Sequence, residues 1–353
     1  MTTPIRPGLP EHGTVRQMTF GQATVEALSI AMRADERVIV LGEDIGWGGN
    51  FGQFRGLLKE FGPRRVIDMP ISESIIMAVS VGAASTGMRP VASMSFVEFT
   101  MGAMDEIVNQ AAKFRYMFGG QTSVPLVLRA SDGVLRSSAA QHSESFEAIF
   151  AHIPGLKVVA PATAADAKGL LAAAIADDDP VVYLENKRVG WSRGEVPDGD
   201  YVVPLGHARV ARDGHDVTVI CYSIMVTHAL EAAKVLAEQD GIDVEILDLR
   251  TLVPLDEAAI DASVAKTGHA VIAHEAWRFG GFGAELAAQI SERHFGRLGA
   301  PVARVGARRS HMPFSPPLER AVAPQAEEIT EAVRATLRHR GGAADAHPGA
   351  VRA

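Results

Sequence analysis

Basic charge is in short supply: 34 lysines and arginines stand against 42 aspartates and glutamates, a formal net charge of -8. Both a nucleic-acid surface and an anionic-membrane surface need a basic patch to neutralise phosphates, so the balance argues against either as a partner. Cysteine is nearly absent, and Cys221 alone in 353 residues cannot form an internal disulfide. Long apolar runs are missing as well. The longest, Ser74 to Met88, is broken by glycine and serine and is too short to span a bilayer; it reads as a buried helix. No charged-then-apolar leader opens the chain, because Met1 to Gln17 is polar and carries three prolines. The expectation is a cytoplasmic enzyme or binding protein. No cysteine or histidine cluster has zinc spacing, and no Gly-x-Ser-x-Gly elbow is present. The glycine-rich run Gly280-Gly-Phe-Gly-Ala-Glu285 has the spacing of neither a dinucleotide nor a P-loop fingerprint, so it reads as close packing at a helix start.

What is present is ordinary globular material, 47% hydrophobic and 22% charged, long enough for two cores. Short β-rich runs alternate with helical stretches, the pattern of a parallel sheet covered by helices. Thr19 and Gln22 form a capping box ahead of an amphipathic run to Arg33, and the strand Val38 to Leu41 follows. Further strands are expected at Val66 to Asp68, Val91 to Phe96, Val124 to Arg129, Lys157 to Ala160 and Val181 to Glu185. Thr163 and Asp166 start another helix, which runs to Ile175 before the turn Asp177-Asp178-Asp179. From Lys187 to His207 the period lapses. The alternation restarts with strands at Val217 to Tyr222, Val244 to Leu247 and Ala270 to His274, and ends on a helix from Glu327 to Arg338. The implied division is an N-terminal extension at 1–14, a first domain at 15–190, a linker at 191–208, a second domain at 209–338 and a disordered tail at 339–353.

A few places invite chemistry. Glu73 follows the strand Val66 to Asp68 and opens an apolar helix. An acid in a first helical turn is favoured by the dipole, which is a purely structural role. Open α/β sheets also bind ligands at the carboxyl ends of strands, where the same carboxyl can bond a heterocyclic nitrogen. His142, after the strand ending at Arg129, is either an idle loop histidine or a proton shuttle at a strand terminus. Phe96 and Phe99 offer a ring face to a ligand or pack in the core.

Longer segments then combine into a pattern. Val40-Leu-Gly-Glu-Asp44, Asp68-Met-Pro-Ile-Ser-Glu73, Asn109-Gln-Ala-Ala-Lys-Phe-Arg-Tyr-Met-Phe-Gly-Gly120, Ala140-Gln-His-Ser143, His152-Ile-Pro-Gly-Leu-Lys-Val-Val159, Asp166-Ala-Lys-Gly-Leu-Leu171 and Asp248-Leu-Arg-Thr-Leu-Val-Pro-Leu-Asp256 together resemble the beta chain of the 2-oxo acid dehydrogenase family, over roughly residues 15 to 338. The Lys-Phe-Arg-Tyr-Met-Phe-Gly-Gly segment most resembles acetoin dehydrogenase beta chains, with pyruvate dehydrogenase beta chains close behind. The resemblance implies an α/β fold of two parallel-sheet sandwiched domains, a thiamine-diphosphate pyrimidine-binding domain and a transketolase C-terminal domain.

It also implies thiamine diphosphate as cofactor, shared with an alpha subunit that holds the diphosphate through Mg2+. The Gly-Asp-Gly…Asn signature of that magnesium site is missing here, as expected of a chain that contributes the pyrimidine half alone. An alpha2beta2 heterotetramer, a lipoyl-bearing acyltransferase core and a small-molecule substrate are the implied partners. By position, Glu73 matches the glutamate that bonds the aminopyrimidine, Phe99 the aromatic that packs on that ring, and Glu43 and Ile71 the lining of the same pocket. His142 matches the histidine that passes protons during acyl transfer to the lipoyl group. Leu126, Ala174, Ile175, Asp177 and Asp179 resemble a structural potassium (K+) site in some relatives. Acetoin or pyruvate is the favoured substrate. A branched-chain 2-oxo acid dehydrogenase beta chain, a split transketolase subunit and a non-catalytic scaffold are the alternatives.

Overall fold

The computed structural model describes residues 14–339. The expected N-terminal extension and C-terminal tail lie, apart from Thr14 and His339, outside the described residues. In chain order the strands are β1 (Val15–Thr19), β2 (Val38–Gly42), β3 (Val66–Asp68), β4 (Arg89–Met94), β5 (Val127–Asp132), β6 (Lys157–Val159), β7 (Val181–Asn186), β8 (Arg193–Pro197), β9 (Arg209–Arg212), β10 (Val217–Cys221), β11 (Val244–Asp248), β12 (Thr251–Val253), β13 (Ala270–Trp277) and β14 (Ala303–Ala307).

The first sheet has the order β12-β6-β7-β5-β4-β2-β3, parallel except where β12 pairs antiparallel with β6. β2, β5 and β7 are buried along their whole length; β2 accordingly reads as an apolar run without alternation, while β5 and β7 bury the polar side chains Arg129, Asp132, Glu185 and Asn186 among apolar ones. The second sheet has the order β14-β13-β10-β11-β9, with β9 antiparallel at its edge. Thr19 caps the helix Phe20–Ala34 in the expected box with Gln22, and Thr163 caps Ala164–Ala176 by accepting from the Asp166 N–H.

Two features differ from the sequence reading. The segment expected as a linker is built into the first domain: β8 pairs antiparallel with β1, and Val196, Tyr201 and Val203 are buried. Gly169 makes room for them, since a Cβ there would lie 2.6 Å from Val203 Cγ2 and 2.8 Å from Tyr201 Cε2. Strand β12, from the second half of the chain, completes the first sheet, so the two domains share one apolar core containing Ile76, Leu128, Leu184, Ile220, Leu247 and Ile272.

The helix Glu73–Ser85 also departs from a buried helix. Ile76, Met77, Val81 and Ala84 face the core, while Ile75 and Val79 are 48% and 45% exposed. Both faces are apolar, but the chain itself covers only one.

Candidate active site

Topology gathers the site. Four strands that are neighbours in the sheet, in the order β5-β4-β2-β3, run parallel and so end at the same edge. Glu43 follows β2, Ile71 and Glu73 follow β3, Phe96 and Phe99 follow β4, and His142 lies on the loop after β5. The carboxyl edge of a parallel sheet is where open α/β folds bind ligands, because the loops there diverge into a crevice.

Each side chain has a local reason for its place. Asp44 adopts a left-handed conformation with φ 54°, turning the chain sharply after β2. Asp68 fixes that turn by accepting the Gly46 N–H at 2.7 Å. Ser95 donates to Glu43 Oε2 at 3.3 Å. Glu73 is the first residue of its helix, half-buried, and its carboxylate has no protein hydrogen bond among the described residues. Ile71 beside it is 75% exposed. The helix Glu73–Ser85 packs on the turn Val97–Ala103 that carries Phe99, and that turn in turn meets Ala140–His142.

His142 sits in an aromatic corner. Its ring is 4.5 Å from Phe96 and 5.4 Å from Phe99, nearly perpendicular to both, and Phe51 closes on the far edge of Phe96 at 5.8 Å. Edge-to-face contacts of this kind fix ring orientation without consuming the ring nitrogens.

Behind the corner lies a buried polar cluster that the sequence did not reveal. Lys187, fully enclosed, places Nζ 5.2 Å from the Phe96 ring centroid, donates to the Gly133 carbonyl at 2.7 Å and stands 3.9 Å from Glu98 Oε1. Asp132, Glu275 and Glu144 are further carboxylates that act on it. Burial pushes the Asp132 carboxyl well above its ordinary range, and the neighbouring Glu147 adds to this. Burial also lowers Lys187, against the attraction of Glu98 and Asp132. Lysine and glutamate in a segment rich in turn residues look solvated in sequence; only contacts with distant strands bury them.

The expected potassium residues lie elsewhere, near the amino end of the sheet, where Leu126 precedes β5 and Asp177 and Asp179 precede β7. Their oxygens are already engaged. The Ile175 and Asp177 carbonyls accept from Arg89 Nη1 at 3.1 and 2.9 Å, the Leu126 carbonyl from the Val181 N–H at 2.9 Å, and the Ala174 carbonyl from the Asp177 N–H at 3.3 Å. Lys157 binds the Asp177 carboxylate at 2.6 Å, and Arg115 binds Asp179 at 2.5 Å. Arg89, Lys157 and Arg115 thus stand among the oxygens around which the resemblance expects an ion. The glycine-rich run packs as expected: a Cβ on Gly281 or Gly283 would come within 2.5 or 2.6 Å of the His274 ring.

The pyrimidine end of thiamine diphosphate needs a carboxyl without a protein partner beside an aromatic ring at a crevice. Glu73 and Phe99 supply a carboxyl and a ring of these kinds on two elements that pack together at one sheet edge, so the residue types fit the group.

Known proteins resemble this chain in both of its domains. Residues 16–190 match the transketolase pyrimidine binding domain and residues 206–329 the transketolase C-terminal domain. The chain is 44% identical over 334 residues to the beta subunit of acetoin:2,6-dichlorophenolindophenol oxidoreductase from Cupriavidus necator, covering 92% of this chain and 98% of that one. It is 43% identical over 334 residues to the pyruvate dehydrogenase E1 component subunit beta of Rhizobium meliloti, covering 94% and 72%. Among solved structures, a split-gene transketolase in an inactive beta4 tetramer superposes with a TM-score of 0.72 at 26% identity, covering 92% of this chain and 99% of that one. The chain belongs to the transketolase-like family of beta subunits of 2-oxo acid and acetoin dehydrogenases. Among the described residues no helix is long and apolar enough to cross a membrane.

Proposed function

We propose that this family member contributes the proton-handling half of an active site that cleaves a carbon–carbon bond next to a carbonyl and passes the acyl group to a lipoyl acceptor. Acetoin or pyruvate is the favoured substrate. An alpha subunit completes the site by holding the diphosphate and magnesium, within an alpha2beta2 assembly.

The observation that carries this reading is Glu73: a half-buried carboxyl at a helix start, without a protein partner among the described residues, at the edge where Phe99 and His142 also emerge. Thiamine diphosphate, when bound, supplies the electron sink for cleavage beside the carbonyl. Glu73 holds a proton at the pyrimidine ring nitrogen and so sets which tautomer of the ring is present. Phe99 packs on the ring, and Glu43 and Ile71 line its pocket. His142, whose ring nitrogens bond no protein group among the described residues, holds or delivers a proton where the acyl group leaves for its acceptor.

The exposed apolar side chains Ile71, Ile75, Val79 and Met101 support a second subunit, because isolated chains seldom leave such a face to water. Identity of 44% to dehydrogenase beta subunits against 26% to the split transketolase favours the dehydrogenase reading.

The test is dye-linked oxidation of acetoin, pyruvate and 3-methyl-2-oxobutanoate by this chain co-expressed with its alpha subunit, with and without thiamine diphosphate. Cofactor-dependent turnover of acetoin or pyruvate supports the reading. Turnover of the branched acid moves the substrate, and a well-formed complex inactive on all three overturns it.

A further inference from the structure

The loop that carries His142 runs from Gly133 to Phe146, between β5 and the helix Glu147–Ala151. Its conformation is costly by itself. Ser137 and Ala139 both have positive φ, 57° and 59°, and Ala139 combines this with ψ -162°, a region nearly closed to residues with a side chain. Such a backbone persists only where its surroundings over-determine it.

Three carboxylates do so, each by accepting a main-chain N–H of the loop. Glu275 Oε2 accepts from Val134 at 3.3 Å, Glu319 Oε2 from Ser137 at 2.8 Å and Glu98 Oε1 from Glu144 at 2.7 Å. The Gly133 N–H closes the base of the loop on the Glu144 carbonyl at 2.8 Å. Glu98 belongs to the first domain. Glu275, on β13, and Glu319, in the helix Pro316–Val322, come from the second. Main-chain N–H groups held by carboxylate oxygens make well-defined anchors, and three of them act on this one loop.

The His142 ring packs nearly perpendicular to Phe96 and Phe99 and makes no side-chain hydrogen bond among the described residues, so the backbone that carries it is a main determinant of its position. Of the three carboxylates, Glu98 and Glu275 also belong to the buried cluster around Lys187 and Arg188, where their loss would disturb packing generally. Glu319 is half-exposed and bonds the loop five residues before His142, next to the strained stretch. We propose that Glu319 is a positioning residue: by holding the Ser137 N–H it sets the place of His142, so the second domain governs the step in which His142 moves a proton. This rests on the role given to His142 above.

The experiment uses the chain assembled with its alpha subunit and reads two activities: dye-linked oxidation, and acyl transfer to an isolated lipoyl domain. Glu319→Ala is expected to lower kcat for lipoyl acylation about 10- to 100-fold, with KM for the small substrate unchanged and dye-linked turnover retained. Glu319→Gln keeps an oxygen acceptor in place and is expected to restore acylation. Glu319→Asp withdraws the acceptor by one methylene while keeping the charge and is expected to behave like the alanine variant, which covers the case in which the latter fails to assemble. Equal loss of both activities in all three variants, or unchanged acylation in Glu319→Ala, overturns the proposal. His142→Ala is measured alongside. If it loses acylation while Glu319→Ala keeps it, only the positioning role fails. If His142→Ala also acylates normally, the role assigned to His142 fails first.

Discussion

Arg129 on β5 and Glu185 on β7 meet diagonally across the two strands, joined by two hydrogen bonds, from Nε at 2.6 Å and from Nη2 at 2.9 Å. Arg129 is 1% exposed, further bonded to the Gln53 carbonyl and Thr24 Oγ1, and its guanidinium lies 4.8 Å from the Phe54 ring centroid. A buried ion pair is worth little against a well-packed apolar pair, but breaking one side strands a charge. Arg129→Met should therefore destabilise the chain by about 3–5 kcal/mol, and Arg129→Met with Glu185→Leu should recover much of that loss. Urea unfolding of the two variants checks it; equal stability of the single and double variants would show that no charge had been stranded.

Val79 lies on the uncovered face of the helix Glu73–Ser85. Val79→Glu should leave the stability of the chain alone within about 0.5 kcal/mol, since the site is exposed. Co-expression with the alpha subunit should then give separate species on size-exclusion chromatography, where the parent gives a complex. A Val79→Glu chain that still co-elutes with alpha would move the interface to another surface.

Gly283 opens the helix Phe282–Arg293 against β13. A Cβ there would sit 2.6 Å from His274 Cδ2 and 3.0 Å from Ile272 Cγ2, both in a fully buried strand. Gly283→Ala should cost about 1–3 kcal/mol by overpacking, although alanine is the better helix former. The shift in thermal midpoint measures it.

His274 is fully buried, and burial holds its pKa down at about 4 against 6.5 when unfolded. Between those values the unfolded chain binds the extra proton, so this contribution to stability is complete above pH 6.5 and is lost as pH falls toward 4, about 3 kcal/mol in all. Asp248 acts in the opposite direction: burial, with Asp166 nearby, raises it from 3.8 to about 7, so its contribution is lost as pH rises through that range. The total curve mixes both. The stability of the parent minus that of His274→Leu isolates the histidine and should shrink steadily from pH 6.5 to 4; a constant difference would mean that His274 titrates normally in the fold.

Much of this fold was legible because its signals are local. Thr19 with Gln22, and Thr163 with Asp166, announce helix starts through bonds spanning three residues. The apolar run of β2 and the apolar start of β7 report strands buried on both faces. Even the helix-start position of Glu73 follows from a short strand, a proline and an apolar run. What stayed hidden is non-local. Nothing near Lys187 in sequence shows that Gly133 and Glu98 enclose it, and the Gly- and Pro-rich stretch after it gives no hint that β8 returns to pair with β1. Apolar periodicity also reports that Ile75 and Val79 are hydrophobic without saying whose surface covers them.

The sequence by itself determined the alternation of strands and helices, the helix starts and the residue types at the carboxyl edge of the first sheet, because propensity, capping and periodicity act over a few residues. Tertiary structure alone decided that Glu319 meets Ser137, 182 residues away in the chain, that β12 crosses to the other domain, and that Arg89 and Lys157 stand among the oxygens expected around an ion. Those outcomes depend on which strand ends become neighbours, and a carboxylate or guanidinium takes its role from whatever group the completed sheet places within hydrogen-bonding distance.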